Sequence, residues 1–385
     1  MSMPLAHYVS DEAFDPEATV AAGSEVSQRY LDASQGQIIW WRFKRHRVAY
    51  YSLICLAVAY LSVLVTEFLA PYGLHSRHTD HIFAPPQGIH LFHEGRFVGP
   101  FTYPTSFKLN METLKRDYTT DTSQPQPIRF FCSGDTYNFW GMVASTFHLV
   151  CPPEDGTMFL LGTDRLGRDM LSRLIYGARI SLTVGLIGVT LSFILGITIG
   201  GAAGYFGGKV DAVVQRVTEI LRSLPELPLW LALSAALPVT WSPLLIYFGI
   251  TVILALLDWP SLARAVRSKL FALREEDFVS AAEMLGAKPS RVIGRHLLPN
   301  FMSHLIASAS LSIPSMILAE TALSFLGLGL RPPITSWGVL LSESQNIEAV
   351  VLYPWLLMPM VPVMATVLAF SFLGDGLRDA IDPHE

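Results

Sequence analysis

Charged residues are scarce in this sequence. Asp, Glu, Lys and Arg make up 15% of the chain, whereas they supply about a quarter of an ordinary soluble domain. Hydrophobic residues account for 51%, and the mean hydropathy is +0.39. The net charge of −5 comes without a basic domain, which excludes a nucleic-acid partner because a phosphate-binding surface collects Lys and Arg on one face. Membrane lipid is therefore the expected partner of most of the chain.

Cysteine is also scarce, which excludes a disulfide scaffold and any C-x-x-C zinc or redox motif. We predict a disulfide between Cys132 and Cys151, because both lie in a segment expected outside the cytoplasm, where disulfides persist. Histidines in the same segment raise the alternative of a nickel or zinc site. Their spacing defines no coordination geometry, so no metal ligand is predicted. They are His75, His78, His81, His90 and His93.

Catalytic and targeting motifs are absent. The nearest approach to the phosphate-binding pattern G-x-x-x-x-G-K-[ST] has valine after Lys209, and neither G-x-S-x-G nor H-E-x-x-H occurs. We therefore expect neither an enzyme nor a bound cofactor. Residues 1–37 are polar and acidic, and the first apolar run begins near Val48, too late for a cleavable signal. This leader is predicted to be disordered and cytoplasmic.

Long apolar runs are the dominant feature that is present. A helix needs about 20 apolar residues to cross a hydrocarbon core of about 30 Å. The sequence therefore predicts an all-α integral membrane protein with six transmembrane helices. Their approximate bounds are Tyr50–Ala70, Ile180–Tyr205, Val213–Leu237, Leu244–Leu262, Met302–Leu326 and Leu352–Phe372.

The distribution of Lys and Arg predicts the orientation, because short cytoplasmic loops are enriched in both. A basic cluster beside Trp40 and Trp41 precedes helix one within residues 38–70, and seven basic residues lie in the loop 264–300. The loop 327–351 holds only Arg331. Both termini are therefore expected in the cytoplasm, and residues 71–160 are expected to form an exterior insert between helices one and two.

Small and ionisable residues inside the spans suggest packing and function. Glycines four apart would form a stripe that another backbone can approach closely; they are Gly196, Gly200, Gly204 and Gly208. Glu320 is a candidate for the translocation path. Burying an ionisable group in a membrane is costly, so such a residue inside a span usually has a function. The amphipathic stretch Asp169–Gly177 predicts a helix lying flat on the outer membrane surface.

The basic loop 264–300 has an internal pattern of its own. Acidic residues open a stretch of helical spacing that begins near Phe278, and Gly286 is expected to end it. Pro289 suits the first turn of a second short helix, which Pro299 is expected to close. The sequence therefore predicts two short helices joined by a turn.

This pattern resembles the cytoplasmic coupling loop of ABC importer permeases, whose signature is E-A-A, a glycine four residues after the second alanine, and then I-x-L-P. The matching positions are Ala281, Ala282, Gly286, Leu298 and Pro299. Ser280 replaces the family glutamate, and His296 replaces the usual isoleucine. The resemblance implies that this loop docks on an ATPase subunit.

Three further stretches are similar to oligopeptide, dipeptide and nickel permeases, namely Leu161–Leu182, Leu323–Glu343 and Gly374–Pro383. The resemblance implies the C-type subunit of a permease pair, with a type I importer fold whose core is residues 161–385. It also implies a second permease subunit, two ATP-binding-cassette ATPases and a periplasmic or lipid-anchored binding protein. The expected activity is import of oligopeptides or dipeptides across the bacterial inner membrane.

Three alternatives stay open from the sequence. The first is an ABC permease for another small solute, such as nickel, glutathione or an opine-like compound. The second is an ion-coupled secondary transporter, which would need intramembrane charge and broken helices in symmetry-related halves. The third is a membrane-anchored exterior enzyme built on residues 71–160, which would need a nucleophile and a base there.

Overall fold

The computed structural model describes residues 34–112, 116–154, 156–238 and 240–381. The predicted leader 1–37 lies outside these ranges apart from residues 34–37. The helices are α1 Gln35–Arg45, α2 Arg47–Leu64, α3 Thr66–Leu69, α4 Met170–Phe206, α5 Gly208–Ser223, α6 Glu226–Ala235, α7 Pro243–Leu273, α8 Asp277–Met284, α9 Pro289–Arg291, α10 Leu298–Asn300, α11 Met302–Phe325, α12 Trp337–Ser342, α13 Ile347–Leu352 and α14 Met360–Ile381. A π-helical stretch, Val292–Leu297, joins α9 to α10, and 3₁₀ turns occupy Thr79–His81 and Pro354–Leu357.

Five helices among the described residues are long and apolar enough to cross a membrane. They are α2, α4, α7, α11 and the helix formed by α14 with its preceding 3₁₀ turn. Each overlaps one of the predicted spans, so five of the six spans are confirmed by length and composition.

The third predicted span, Val213–Leu237, is not one helix. It is divided between α5 and the ten-residue α6, with Leu224 extended at φ −87° and ψ 140°. Pro225 explains the break, since proline disfavours helical geometry in the residue before it and lacks an amide hydrogen. The prediction of six continuous spans is therefore wrong at this position.

The start of α4 also corrects the sequence interpretation. Asp169–Gly177 does not lie flat as a separate surface helix, because α4 is continuous from Met170 to Phe206. Both the apolar Met170 and the polar Arg173 are buried, at 2% and 1% exposure. The polar face of Asp169–Gly177 was expected to face solvent. Instead its Arg173 contacts Asp164 and Glu343 inside the protein.

The segment between α2 and α4 is built from strands, so the all-α prediction does not hold for it. The strands are β1 His90–His93, β2 Arg96–Thr102, β3 Thr105–Leu109, β4 Arg116–Thr120, β5 Gln126–Pro127, β6 Arg129–Phe139 and β7 Val143–Cys151. They form an antiparallel sheet in the order β1-β2-β5 and the hairpins β3-β4 and β6-β7. Tyr72, Ala84 and Phe159 form a small buried cluster where this segment meets the chain entering α4.

A disulfide closes the base of the β6-β7 hairpin. The Sγ atoms of Cys132 and Cys151 are 2.09 Å apart, and their Cα atoms are 6.2 Å apart. Cys55 is free and exposed on α2. The cross-link holds the strand ends together at the point where the hairpin joins the rest of the segment.

Helices α4 and α7 pack at unusually short range through glycine. A Cβ atom added at Gly196 would lie 2.8 Å from Cδ2 of Leu262, one at Gly204 would lie 2.7 Å from the carbonyl oxygen of Arg267, and one at Gly200 would overlap the backbone of Ala263. Gly208 does not share this face. The chain turns at Gly207, which has φ +63°, and Gly208 starts α5 with open space around its missing side chain.

Substitution of Gly200 by alanine should destabilise the protein, because the added methyl group collides with the backbone of Ala263. We expect a loss of about 1–3 kcal/mol in the free energy of unfolding. Gly201→Ala is the matched control, since its Cβ would meet only ordinary contacts at 3.7 Å. Thermal unfolding of the purified variants should show a lower midpoint for Gly200→Ala alone; equal midpoints would contradict the close approach.

Thiol counting tests the cross-link. A maleimide of high mass should modify one cysteine, Cys55, in the denatured and unreduced protein. After reduction it should modify three, because Cys132 and Cys151 are then released from their bond. Modification of three cysteines before reduction, in protein prepared from the membrane without reductant, would show that the disulfide does not form.

Candidate functional site

The helix–turn–helix segment, residues 277–300, is the first candidate site. Its first helix, α8, ends in a Schellman motif, in which the amide of Gly286 donates to the carbonyl of Glu283 at 2.8 Å and the amide of Ala287 donates to that of Ala282 at 3.1 Å. Gly286 has φ +79°, a conformation that favours glycine. The predicted stop at Gly286 is therefore a sharp reversal that leaves the end of α8 projecting.

The two alanines of the motif have different surroundings. Ala282 is buried at 9% exposure, on the face of α8 that carries the fully buried Val279. Ala281 is exposed. The small side chain of Ala282 lets α8 pack close to the rest of the chain, while Ala281 leaves the outer face of α8 uncovered.

The C-terminal end of α8 exposes two large apolar side chains. Met284 and Leu285 are 86% and 89% exposed, and Phe278 in the first turn of α8 is 40% exposed. Adjacent exposed apolar groups are typical of a protein contact surface. We call Met284 and Leu285 the apolar tip of α8.

Polar contacts attach α8 to the end of α4. The hydroxyl of Tyr205 donates to Oε1 of Glu283 at 2.6 Å, and Nη1 of Arg274 donates to the carbonyl oxygen of Tyr205 at 3.3 Å. The guanidinium of Arg274 also lies over the ring of Phe271, 4.4 Å from its centre. These contacts set the position of α8 relative to the two long helices α4 and α7.

The second half of the segment differs from the predicted helix. Pro289 opens α9 as expected, but Pro299 lies within α10 and is exposed, so it does not close the helix. The helical stretch ends at Asn300, whose side-chain amide donates to the carbonyl oxygen of His296 at 2.8 Å. Pro299 cannot donate to a carbonyl four residues back, which fits the π-helical stretch just before it.

Apolar packing holds this second half against α7. Val292 and Leu297 are fully buried, and Leu298 packs beside them. Their partners include Leu262, Val266 and Leu270 of α7. Val292 and Leu297 therefore anchor the segment. The resemblance to the coupling loop does not single them out, and their separation of five residues does not match the spacing of one α-helical face.

A second candidate site lies at the opposite end of α4, in the loop 162–169. Oδ1 of Asp164 accepts hydrogen bonds from the amides of Leu166 and Arg168, at 2.7 and 2.9 Å. Its Oδ2 accepts from Nε of Arg168 at 2.6 Å and from Nη1 of Arg173. Because Asp164 and Arg173 are 0% and 1% exposed, this is a buried ion network.

The network continues to the end of α12. Oε1 of Glu343 accepts from Arg173 at 2.9 Å and from Arg168 at 3.3 Å. Asp169 then caps α4 by accepting from the amide and the hydroxyl of Ser172, at 2.7 and 2.6 Å. Burial raises the pKa of Asp169 to about 6. We call Asp164, Arg168, Arg173 and Glu343 the buried ion network. Sequence reasoning missed it, although the D-R-L-G-R-D pattern contains two of its members, Asp164 and Arg168.

Glu320 lies in a closed polar cluster. It is fully buried in α11, and its Oε1 accepts from the hydroxyls of Ser324 and Ser336 at 2.7 and 2.8 Å. Ser336 also accepts from the amide of Val339 and so caps α12. Within this chain Glu320 therefore connects α11 to α12, and its part in a translocation path stays a prediction.

The histidines between α2 and α4 pack mainly against aromatic rings. His78 and His81 contact Phe159, with ring centres 5.2 Å apart in each case. His90 and His93 lie beside Tyr103, and Nδ1 of His93 is 3.1 Å from its hydroxyl. Across the described residues, His, Cys, Asp and Glu form no group of three that could hold a metal ion.

Loss of one partner should show how much the buried ion network contributes. Arg173→Met removes the buried cation that the carboxylates of Asp164 and Glu343 share. We therefore expect a loss of about 3–5 kcal/mol in the free energy of unfolding. Arg129→Met is the control, because its pair with Glu154 is exposed and should contribute about 0–1 kcal/mol. Thermal unfolding of both variants measures the difference, and similar small losses would contradict a structural role for the network.

Two family models match the chain. Residues 196–385 match the binding-protein-dependent transport system inner membrane component, and residues 34–86 match the N-terminal transmembrane domain of oligopeptide transport permease C. The first match includes the helix–turn–helix segment, and the second includes α1 and α2.

Several permeases are similar to this chain. A dipeptide transport system permease protein of Alkalihalophilus pseudofirmus is 42% identical over 58% of this chain and 71% of that protein. An oligopeptide transport system permease protein of Escherichia coli K12 is 39% identical over 64% and 77%. A dipeptide transport system permease protein of Lactococcus lactis is 30% identical over 90% of both chains. This chain is therefore a multi-pass inner-membrane permease subunit, and not an enzyme, of the oligopeptide and dipeptide permease family of ABC importers, of the C type.

Proposed function

We propose that this chain forms one half of the pore through which an ABC importer moves oligopeptides or dipeptides into the cell. The relatives named for dipeptide and oligopeptide transport support the substrate class. The expected partners are a second permease subunit, two ATPases and a periplasmic or lipid-anchored binding protein. The type I importer arrangement, with α5 and α6 completing the sixth span and both termini in the cytoplasm, belongs to the same proposal.

The observation that carries the proposal is the apolar tip of α8. Met284 and Leu285 project from the end of a helix that the Schellman motif at Gly286 ends sharply. A groove on an ATPase could bury these side chains, and each fully buried side chain would contribute about 1.5–3 kcal/mol. Ser280 offers no charge to such a groove, whereas the apolar tip offers two exposed apolar side chains.

The path of force runs from α8 into the long helices. Val279 of α8 packs in one cluster with Val266 and Leu270 of α7, and α7 in turn lies against the glycine face of α4. Because each contact is a close one between regular elements, a displacement of α8 is passed to α4 and α7 together. On this proposal, closure of the ATPase pair moves α8 and reorients both helices.

The far end of α4 belongs to the same moving body. The buried ion network joins the start of α4 to α12, and the cluster around Glu320 joins α12 to α11. A movement of α4 is therefore shared with α11 and α12. We propose that this group of helices opens and closes the side of the pore that receives substrate from the binding protein, with residues 71–160 nearby to contact that protein.

Charge at the apolar tip should uncouple the permease from its ATPases. Met284→Asp and Leu285→Asp place an ionised group where the proposed contact excludes water, so we expect reduced copurification of the nucleotide-binding subunits and loss of substrate-stimulated ATP hydrolysis. Both side chains are more than four-fifths exposed in this chain, so the variants should insert and fold normally.

The control is Met111→Asp, since Met111 is 78% exposed and belongs to the segment between α2 and α4. It should retain the ATPase subunits. Normal copurification and normal stimulation in both tip variants would show that the ATPases bind elsewhere.

A further inference from the structure

The turn of the β6-β7 hairpin exposes apolar side chains without any charge nearby in sequence. No Asp, Glu, Lys or Arg occurs between Asp135 and Glu154. Trp140, Met142 and Val143 are 44%, 79% and 62% exposed. We call these three residues the hairpin tip. A soluble surface loop usually carries polar residues, so the composition of the tip requires an apolar partner.

The hairpin tip is attached to the end of a membrane helix. Nε1 of Trp140 donates to the carbonyl oxygen of Leu64, the last residue of α2, at 3.0 Å. The guanidinium of Arg179 lies over the ring of Trp140, 4.2 Å from its centre. Arg179 also donates to both carboxylate oxygens of Glu67, at 2.7 and 2.6 Å. The charges next to the tip therefore neutralise each other.

The length of α2 places the hairpin tip at the edge of the bilayer. Its 18 residues span about 27 Å at 1.5 Å per residue, close to the roughly 30 Å of the hydrocarbon core. Leu64 is then at the boundary between hydrocarbon and headgroups. An indole that hydrogen-bonds at that height has the position usual for tryptophan at a membrane interface.

The exposed face of α2 is continuous with the hairpin tip. Val58, Leu61 and Leu64 are 60%, 62% and 53% exposed along α2. Above them, Phe68 stacks on Phe147 of β7 with ring centres 5.7 Å apart. The apolar surface thus continues from α2 through the short helix α3 onto the hairpin. Arg179 and Glu67, which lie beside this surface, are paired with each other.

We infer that the hairpin tip inserts into the lipid headgroup region beside α2. Membrane lipid is the partner that matches an uncharged apolar tip held at the level where α2 leaves the hydrocarbon. The residues between α2 and α4 are then fixed to the membrane at the hairpin tip, and the disulfide lies at the base of the same hairpin. The inference concerns this segment only and does not depend on the transported substrate.

Site-directed fluorescence tests the inference in the assembled transporter. Met142→Cys in a Cys55→Ser background is labelled with bimane and reconstituted in nanodiscs that contain lipid with a spin label near the headgroup. Cys132 and Cys151 remain in their disulfide, so position 142 carries the only free thiol of this chain. We expect the spin-labelled lipid to quench bimane at position 142 at least about twofold more than at a position away from the interface, because quenching requires contact at headgroup depth.

Met111→Cys in the same background is the matched control, since Met111 is 78% exposed and Met142 is 79% exposed. Val143→Cys provides a second labelled position if the first variant assembles poorly. Quenching at 142 and 143 no stronger than at 111 would overturn the inference. Shielding of the label from both lipid quencher and aqueous iodide would also overturn it, because a protein neighbour would then cover the tip.

Discussion

The close approach of α4 and α7 is the contact on which the rest of the structure depends. Three glycines remove side chains from one face of α4, so the backbone of α7 and the side chain of Leu262 lie where methyl groups would otherwise stand. Between two helices in lipid no hydrophobic effect draws them together, and dense van der Waals contact has to supply the attraction. The two helices therefore form a rigid pair, and the smaller elements are placed by their contacts with it.

Each end of this pair carries a different kind of attachment. At one end the contact is apolar, with Val279, Val292 and Leu297 packed on the last turns of α7. At the other end it is ionic, with Asp164 and Glu343 sharing the cation of Arg173. Close packing of apolar side chains holds the first contact, whereas a buried hydrogen-bonded ion network has one favourable geometry. This difference fits the proposal that the ATPases act on the apolar end while the ion network holds the other end of α4 in one arrangement.

The strand-rich segment between α2 and α4 is attached to the helices at two separate places. Its chain enters α4 through the loop of the buried ion network, where Nε1 of Trp355 donates to the carbonyl oxygen of Thr163 and Tyr353 stacks on Phe83 at 4.1 Å. Its longest hairpin returns to α2 through Trp140. The segment is therefore joined both to the end of α2 and to the start of α4.

The sequence alone determined the membrane class, five of the spans, the reversal at Gly286 and the glycine face at 196, 200 and 204. These follow from local rules of apolar length, helix stop signals and the absence of a side chain, which operate within one or two turns of chain. It did not reveal that Pro225 divides the third span, that Gly208 starts a new helix, or that Asp169–Gly177 continues into α4. Only the tertiary structure decided where these helices begin and end. Only the tertiary structure brought Asp164, Arg173 and Glu343 together, because the partner of a buried charge can lie far away in sequence; Arg173 and Glu343 are 170 positions apart.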